Sequence, residues 1–320
     1  MLDSLQSTVD QTGHQLKLRW LTPEPEIERP LRGEEPEQAQ QSLIGSLNCI
    51  HPNRLQVIGH PEQLYLATLG TTAYAETVKK LFSDRPAAVI FTDDIEPSPD
   101  LRDEATRTQT PLLGSTLGDQ ELINHLRYFL THALAERTTV HGVFIEVLGM
   151  GVLLVGDPAV GKSELALDLI TRGHRIIADD APRFARIAPE TIEGTCPETL
   201  RDFLEVRGLG ILNIRAMFGE GAILRNKTLN LVIDLQPLDQ RQLACIDRLT
   251  GGLSAMTILG VAIPKIVMPV APGRNLAILV EAAVRHQMLR IRGYDAGVDF
   301  IDRQARAISQ DRPDPPAAKP

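Results

Sequence analysis

The apolar positions of this chain form short runs separated by stretches with helical periodicity, an alternation that favours an α/β fold. In the first half, short apolar runs predict strands at 54–58, 87–91 and 112–113. Periodic segments between and after them predict helices at 61–69, 75–82, 101–108 and 119–136. Because strands alternate with helices, we expect an α/β unit with a mainly parallel sheet.

The second half begins with two apolar runs, at 143–147 and 152–155. Only Leu148-Gly149-Met150-Gly151 separates them. A parallel crossover needs a dozen or more residues, so this pair should form an antiparallel hairpin. Further strands are predicted at 175–178, 185–187, 211–214 and 229–233, and an apolar helix at 276–290.

The chain has 320 residues, enough for two domains with cores of their own. The boundaries that we predict are an N-terminal α/β accessory domain at 1–134, a second domain at 135–310, and a tail at 311–320. The tail is rich in Pro, Ala and charge and is expected to be disordered. The Pro- and Glu-rich stretch at 22–41 is expected to be irregular.

Composition narrows the possible partners and location. A net charge of −8 argues against a sequence-independent nucleic-acid footprint, which needs clustered Lys and Arg. No apolar run approaches the ~20 residues that span a bilayer, so no membrane partner is expected. The N-terminus lacks the features of a secretory signal, and Cys49, Cys196 and Cys245 are scattered. The sequence therefore predicts a cytoplasmic protein with reduced thiols.

One segment, between the strand at 152–155 and a helical pattern, fits the phosphate-binding pattern G-x-x-x-x-G-K-[ST]. Its residues are Gly156, Asp157, Pro158, Ala159, Val160, Gly161, Lys162 and Ser163. Backbone N–H groups of such a turn at a helix N-terminus cradle phosphate oxygens. Lys162 would then reach the β- and γ-phosphates, and the Ser163 hydroxyl would ligate Mg²⁺. The chain is thus expected to bind a nucleoside triphosphate or a similar polyphosphate.

Carboxylates that could serve phosphoryl transfer follow two predicted strands. Asp179 and Asp180 end the strand at 175–178, and Asp234 ends the strand at 229–233. A carboxylate in such a position can hold Mg²⁺ or accept a hydroxyl proton. Periodicity does not choose between these acids.

A second group of polar residues precedes a predicted strand. Glu205 and Arg207 lie just before a Gly-Leu-Gly turn, from which backbone and side chains could reach a bound phosphate. His141, Arg248 and Arg274 are further candidates for phosphate contacts, but taken singly such residues are most often solvated or structural.

Several of these segments together resemble the HPr kinase/phosphorylase family of bacteria. The matching pieces in the second half are Val140-His141-Gly142-Val143, the loop 156–163, Arg172-Gly173-His174-Arg175 leading to Ala178-Asp179-Asp180, Glu205-Val206-Arg207-Gly208-Leu209-Gly210-Ile211 and Pro269-Val270-Ala271-Pro272-Gly273-Arg274-Asn275. The first half is similar to the family's accessory domain at Ile50-His51-Pro52-Asn53-Arg54 and Gln56-Val57-Ile58-Gly59. The resemblance covers nearly the whole chain apart from the tail.

The resemblance implies a reaction and a fold. Members use ATP and Mg²⁺ to phosphorylate a regulatory serine on the phosphocarrier protein HPr, and they remove that phosphate with inorganic phosphate, releasing pyrophosphate. Their catalytic domain is a P-loop domain that resembles the nucleotide-binding core of phosphoenolpyruvate carboxykinase, and they assemble as homohexamers. The alternatives are a small-molecule kinase on the same fold and a non-enzymatic ATP-binding regulator.

Family roles carry over to matching residues of this sequence. Asp180 matches the catalytic acid/base, and Lys162 the residue that holds the transferring phosphoryl group. Ser163 and Glu205 match the Mg²⁺ ligands, so the resemblance gives Asp234 a structural role. Oxygen ligands of this kind suit a hard ion that keeps several waters.

The resemblance implies further site residues. His141 matches a catalytic-site histidine, and Arg248 an arginine that clamps phosphate. One segment tied to catalysis consists of Leu204, Glu205, Val206, Arg207, Gly208, Leu209, Gly210, Ile211, Leu212 and Asn213. A segment tied to dephosphorylation consists of Pro269, Val270, Ala271, Pro272, Gly273 and Arg274. Many members have a basic residue where this chain has Ala271, which implies a differently tuned phosphorylase direction.

Overall fold

The structure is a computed structural model that describes residues 16–23, 44–48, 53–83, 85–237, 253–271 and 273–310. The chain divides into two compact units, Met1–Ala135 and Glu136–Pro320. Most of the stretch at 22–41, the tail at 311–320, Cys49 and Cys245 lie outside the described residues. Within the described ranges, no helix combines the length and the apolar character that crossing a membrane requires.

The first unit contains a five-stranded sheet in the order β1-β5-β4-β3-β2. Its strands are Arg19–Trp20 (β1), Ile44–Ser46 (β2), Leu55–Ile58 (β3), Ala88–Phe91 (β4) and Leu112–Gly114 (β5). Strands β2 to β5 are parallel, and only β1 pairs antiparallel, with β5. The prediction of a mainly parallel sheet is confirmed.

Between residues 53 and 133 of the described ranges, four helices cover the two faces of this sheet. They are His60–Thr68 (α1), Thr71–Ser83 (α2), Pro99–Thr108 (α3) and Asp119–Ala133 (α4). Phe82 and Leu101 pack with β3 and β4 in one core, whereas Leu122 and Leu126 pack in another. The predicted helix at 119–136 was three residues too long at its C-terminal end.

The second unit is built on a nine-stranded sheet. Seven strands follow the path β6-β10-β11-β14-β8-β7-β9, while β16 pairs with β14 and β15 with β16. The strands of this unit are Arg137–Thr139 (β6), Val143–Val147 (β7), Met150–Gly156 (β8), Arg175–Ala178 (β9), Arg183–Ala188 (β10), Thr191–Thr195 (β11), Phe203–Val206 (β12), Gly210–Asn213 (β13), Asn226–Gln236 (β14), Leu253–Ile258 (β15) and Val261–Pro269 (β16). Strands β12 and β13 form a separate two-stranded sheet.

Within the described ranges, the α-helices of the second unit are Lys162–Thr171 (α5), Ile214–Phe218 (α6), Leu276–Ile291 (α7) and Ala296–Gln310 (α8). Leu165 and Leu169 of α5 and Val280 of α7 share a core with β7, β8 and β14. A second core holds Phe144 and Phe184, whose rings meet edge to face. The strand predicted at 211–214 ends one residue earlier, because Asn213 caps α6.

The predicted hairpin is confirmed and is tighter than expected. Strands β7 and β8 are antiparallel, with Val147 opposite Met150. The connection is therefore the two residues Leu148 and Gly149, whose φ angles are 52° and 88°. Two central residues with positive φ characterise the type I′ turn, whose twist matches that of the flanking strands.

Strand directions bring four strand ends to one edge of the large sheet. Strand β7 is antiparallel to both β8 and β9, so β8 and β9 run in the same direction. Strand β14 is parallel to β8, and β16 is parallel to β14. The carboxyl ends of β8, β9, β14 and β16 therefore share one edge, which in open α/β sheets is where ligands bind.

Candidate active site

The segment predicted to hold phosphate leaves this edge between β8 and α5. Its backbone has positive φ at Gly156 (142°), Ala159 (67°) and Gly161 (100°). A Cβ atom at position 156 would lie 2.5 Å from the carbonyl oxygen of Leu235. Glycine is therefore required at 156 for both conformation and space, and at 161 for its φ angle.

The N-terminus of α5 is open. The first helical hydrogen bond runs from Leu165 N to Gly161 O at 3.0 Å, so the amides of Lys162, Ser163 and Glu164 precede the helical ladder. Among the described residues, no side chain caps this helix. Such a helix end offers unpaired N–H donors and the positive end of the helix dipole.

Lys162 folds back over the loop. Its Nζ donates hydrogen bonds to the carbonyl oxygens of Gly156, at 2.9 Å, and of Asp157, at 3.1 Å. The ammonium group is therefore held beside the open amides of its own helix. Phosphate oxygens are stronger acceptors than these carbonyls because they are charged, so the donors of the loop suit a polyphosphate.

Asp179 connects two elements of the site. Its Oδ1 accepts a long hydrogen bond from Ser163 Oγ, at 3.4 Å, and its Oδ2 accepts one from the backbone N–H of Glu205, at 2.9 Å. Burial raises the pKa of the Asp179 carboxyl, and the hydrogen bonds from Glu205, Asp180 and Ser163 act in the opposite direction. The carboxyl group thus joins α5 to β12.

Asp180 points to solvent beside His141. Its φ angle is 64°, and a hydrogen bond from Ala181 N to Asp179 O (2.8 Å) closes a γ-turn around it. Its Oδ1 lies 3.7 Å from Nδ1 of His141, and the two side chains are 80% and 88% exposed. Positive φ at a non-glycine residue is strained, and such residues cluster at functional sites. Both groups are accessible from solvent.

Asp234 has partners of its own. Its Oδ2 accepts hydrogen bonds from Gln236 Nε2, at 2.9 Å, and Lys265 Nζ, at 3.2 Å. Ile233 and Leu235, its neighbours in β14, pack in the core that contains α5. Because side chains alternate along a strand, Asp234 belongs to the opposite face of the sheet from α5. This placement agrees with a structural role.

The segment around Glu205 is a short hairpin. Leu204 and Val206 are buried against the α5 side of the core, whereas Glu205 is exposed. At the turn, Gly208 and Gly210 both have φ of 86°. Three apolar side chains of the hairpin face solvent, Phe203 (43% exposed), Leu209 (67%) and Ile211 (73%).

The segment at 269–274 leaves the same sheet edge as the phosphate-loop candidate. Val270 N donates to Gln236 O at 2.8 Å, which extends the pairing of β16 with β14. Gly273 has φ of 81°, and Arg274 is exposed. Pro272 lies outside the described residues, and so does the predicted clamp Arg248.

Family comparisons match both units. A model described as "HPr Serine kinase C-terminal domain" matches residues 132–304, and one described as "HPr Serine kinase N terminus" matches residues 4–130. This chain belongs to the HPr serine kinase family.

Relatives of this HPr serine kinase family member are similar over nearly their whole length. Proteins named "HPr kinase/phosphorylase" from Xanthomonas axonopodis pv. citri (strain 306) and Xylella fastidiosa (strain M12) are each 42% identical over 305 residues, which is 95% of this chain and 96% of the relative. A solved structure titled "Structure of the Hpr(Ser) kinase/phosphatase from Coxiella burnetii" is 34% identical, with a TM-score of 0.45, and covers 51% of this chain and 98% of its own.

The far end of α5 carries an anchor that the sequence reasoning did not identify. Arg172 of the α5 C-terminus donates to the carboxylate of Glu281 in α7 from Nε, at 2.8 Å, and from Nη2, at 2.9 Å. His174 Nε2 lies 3.1 Å from an oxygen of the same carboxylate. Hydrogen bonds from Arg172 and His174 lower the pKa of Glu281 to about 2. The motif Arg172-Gly173-His174 was recognised in the sequence, but its acidic partner lies far along the chain and had no local signal.

Proposed function

We infer that this member of the HPr serine kinase family is a bifunctional enzyme that phosphorylates a regulatory serine of HPr with ATP and removes that phosphate by phosphorolysis. The observation that carries this inference is 42% identity over 95% of the chain to proteins named HPr kinase/phosphorylase. The open helix end and the exposed acid at one sheet edge are the groups that such a reaction needs.

We propose ATP and Mg²⁺ as the cofactors, bound by a phosphate-binding loop at 156–163. The amides at the N-terminus of α5 and the Lys162 ammonium would hold phosphate oxygens, and Ser163 and Glu205 would supply oxygen ligands to the metal. No group of three or more His, Cys, Asp or Glu side chains is placed to hold a metal within the described ranges. The two oxygen donors of Ser163 and Glu205 suit Mg²⁺, which is usually bound by one or two protein ligands together with water and phosphate.

In the kinase direction, Mg²⁺–ATP held by the loop 156–163, Ser163 and Glu205 would supply the phosphoryl group, and the metal would neutralise charge on it. Asp180, as a carboxylate, takes the proton of the serine hydroxyl while the new oxygen–phosphorus bond forms and the bond to ADP breaks. Lys162 exchanges its loop carbonyl partners for phosphate oxygens. His141, whose Nδ1 lies 3.7 Å from Oδ1 of Asp180, is close enough to orient that carboxylate after a small side-chain rotation.

In the phosphorylase direction, protonated Asp180 returns a proton to the leaving serine oxygen. Inorganic phosphate accepts the phosphoryl group, and the product is pyrophosphate. We propose that the segment Pro269–Arg274 and the hairpin 204–213 contribute to these steps, with Arg248 as a phosphate clamp. Many members have a basic residue at the position that Ala271 occupies in this chain, so we expect phosphorolysis to be tuned differently here.

We further propose that the catalytic domain resembles the nucleotide-binding core of phosphoenolpyruvate carboxykinase and that the protein is a cytoplasmic homohexamer. The hairpin that feeds the phosphate-binding loop supports the first point. Exposed Val298, Phe300 and Ile301 on α8 support the second, since they form apolar surface that a partner subunit could cover. Light scattering at several concentrations tests the assembly, and a monomer at every concentration would contradict it.

The experiment that tests the function is incubation of the full chain with Mg²⁺, terminally labelled ATP and HPr. We expect label on one serine of HPr and its release as labelled pyrophosphate when inorganic phosphate replaces ATP. Folded protein that labels none of several HPr homologues would contradict the proposal. Labelling of a metabolite in place of HPr would indicate a small-molecule kinase, and nucleotide binding without transfer would indicate a regulator.

A further inference from the structure

Asp179 makes two contacts that the proposed chemistry leaves unexplained. The residue is 9% exposed and lies at the end of β9. One of its carboxylate oxygens accepts from the Ser163 hydroxyl of α5, and the other accepts from the backbone N–H of Glu205 in β12. A single buried carboxylate thus contacts both residues proposed as Mg²⁺ ligands.

These contacts orient the two ligands. A serine hydroxyl that donates its proton to a carboxylate keeps its lone pairs free on the other side, where they can bind a cation. The N–H bond of Glu205 fixes the backbone of β12, and Glu205 itself is exposed between buried Leu204 and Val206. The two hydrogen bonds together set the spacing between the hydroxyl of Ser163 and the start of the Glu205 side chain.

We propose that Asp179 is a positioning residue, which holds the Ser163 hydroxyl and the β12 backbone in the arrangement where Ser163 and Glu205 bind a divalent cation. Each of its two oxygens accepts from a protein donor, and in this proposal Asp179 acts through the ligands and is not itself a ligand. The inference rests on the proposed function in taking Ser163 and Glu205 as ligands. Loss of such an outer partner typically costs about 10- to 100-fold in metal affinity.

The substitution Asp179→Asn separates this role from simple packing. An amide has nearly the shape of a carboxylate but carries one acceptor oxygen and one NH₂ group. In either orientation it can accept from only one of the two donors, Ser163 or Glu205. If the NH₂ group faces Ser163, the hydroxyl must turn its proton towards the cation or lose its partner. If it faces Glu205, the backbone N–H of β12 loses its acceptor.

The first measurement uses binding of a fluorescent, non-hydrolysable ATP analogue to the full chain at increasing Mg²⁺. We expect Asp179→Asn to raise the Mg²⁺ concentration for half-maximal binding about 10- to 100-fold, while analogue affinity without Mg²⁺ stays at the wild-type value. The matched control is Asp234→Asn, a strand-end acid bound by Gln236 and Lys265, which should leave the Mg²⁺ dependence unchanged. An unchanged Mg²⁺ dependence in Asp179→Asn would overturn the proposal.

The second measurement is a double-mutant cycle with Ser163→Ala. If Asp179 acts through Ser163, adding Asp179→Asn to Ser163→Ala should raise the Mg²⁺ requirement by a much smaller factor than in the wild-type background. The same holds in a Glu205→Gln background. Equal factors in all three backgrounds would mean that Asp179 contributes independently, as a ligand itself, and would refute positioning. Should Asp179→Asn fail to fold in thermal unfolding, Asp179→Ser replaces it in the same cycle, with the same two outcomes.

Failure of this inference and failure of the proposed function give different results. If the wild-type chain binds the analogue with Mg²⁺ dependence but puts no label on HPr, the proposed function fails and the cycle still decides the role of Asp179. If the wild-type chain labels HPr and the cycle shows no coupling, only the role of Asp179 is wrong.

Discussion

Two helices of this protein, α1 and α5, follow a strand and a glycine, but their N-terminal N–H donors have different surroundings. In each unit a strand with a parallel neighbour leads into a helix whose N-cap residue is a glycine. Strand β3 precedes α1, and strand β8 precedes α5. At α1 the carboxylate of Glu62 accepts the N–H of Gly59 at 2.9 Å, and Pro61 removes one of the free donors of the first turn. Two of the four free N–H groups at the N-terminus of α1 are therefore removed by its own residues, and we call this the closed helix end.

At α5 the corresponding end is left open. Gly161 has a left-handed backbone, no described side chain caps the helix, and Lys162 adds a positive charge to the first turn. Glu164 also lies in this turn but makes no capping hydrogen bond among the described residues. The comparison teaches that a strand–turn–helix unit becomes an anion site through a few side chains at the turn, since the backbone order is shared.

The acids of the two units extend this comparison. Asp93 follows β4 and Asp180 follows β9, and both have positive φ, at 54° and 64°. Each lies within 4 Å of a histidine, His60 at 3.9 Å and His141 at 3.7 Å. Only Asp180 lies at the sheet edge that carries an open helix end.

The largest effect is expected from Asp180→Asn. General-base catalysis contributes about 10²- to 10⁴-fold, so phosphoryl transfer to HPr should fall by that factor while ATP affinity stays within a few-fold. The control is Asp93→Asn, which keeps a residue that tolerates positive φ in both cases and should transfer phosphate at the wild-type rate. Near-normal turnover in Asp180→Asn would remove this acid from its role.

Next in size is the loss of the charge at the open helix end. Hydrogen bonds to charged groups contribute about 1.5–3 kcal/mol, so Lys162→Met should weaken binding of an ATP analogue about 10- to 150-fold. Lys79→Met, on the exposed side of α2, serves as the control and should bind normally. Calorimetric titration measures both. Equal affinities in the two variants would mean that Lys162 is bound to its loop carbonyls permanently.

The turn glycines provide a third comparison. Gly161→Ala forces a β-carbon into a left-handed conformation, which costs about 1–2 kcal/mol per residue. We expect lower thermal stability and a smaller stabilisation by Mg²⁺ and the ATP analogue. Gly59→Ala keeps an allowed φ of −106°, although its Cβ would lie 3.1 Å from Thr92 Oγ1. It should leave the ligand-induced stabilisation unchanged, and a loss there would contradict the distinction between the two helix ends.

A smaller effect is expected at the closed helix end. Glu62→Ala removes the carboxylate that accepts from Gly59, and loss of a helix cap costs about 0.5–2 kcal/mol. Denaturant unfolding should show this loss, while nucleotide affinity and transfer to HPr remain at wild-type values. A change in nucleotide affinity would show that α1 also takes part in phosphate binding.

The last effect is on stability and its pH dependence, at the anchored end of α5. Hydrogen bonds from Arg172 and His174 lower the pKa of Glu281 to about 2, below the ordinary 4.5. A carboxyl with a lowered pKa stabilises the fold above its unfolded pKa, and this contribution is lost as pH falls towards the folded pKa. Wild type should therefore be more stable than Glu281→Gln above pH 4.5, and the two should converge towards pH 2. A constant difference across this range would contradict the assigned pKa.

The sequence was informative wherever a local pattern decides the structure. The antiparallel hairpin of β7 and β8, the helix after Lys162 and the mainly parallel sheet of the first unit all follow from periodicity and loop length, although the turn at Leu148 and Gly149 is shorter than predicted. The polar edge strand Arg137–Thr139 had no such pattern, and the helix predicted at 119–136 ran up to the residue before it. Contacts between distant segments, such as Asp179 with Glu205 and Arg172 with Glu281, depend on strand order, which local spacing does not contain.

The choice between the acids was also beyond spacing. Asp179, Asp180 and Asp234 all end apolar strands, and periodicity treated them alike. Their surroundings separate them: Asp179 is buried between Ser163 and Glu205, Asp180 is exposed beside His141, and Asp234 is bound by Lys265. Their roles in catalysis stay predictions that the variants above test.

Hydrogen–deuterium exchange of the full chain with Mg²⁺ and a non-hydrolysable ATP analogue tests most directly whether the open end of α5 holds the transferring phosphate. The account predicts slower exchange in peptides that cover residues 156–165, and no change in peptides that cover residues 59–68 of the closed helix end. Protection at 59–68, or unchanged exchange at 156–165 under saturating nucleotide, would contradict it.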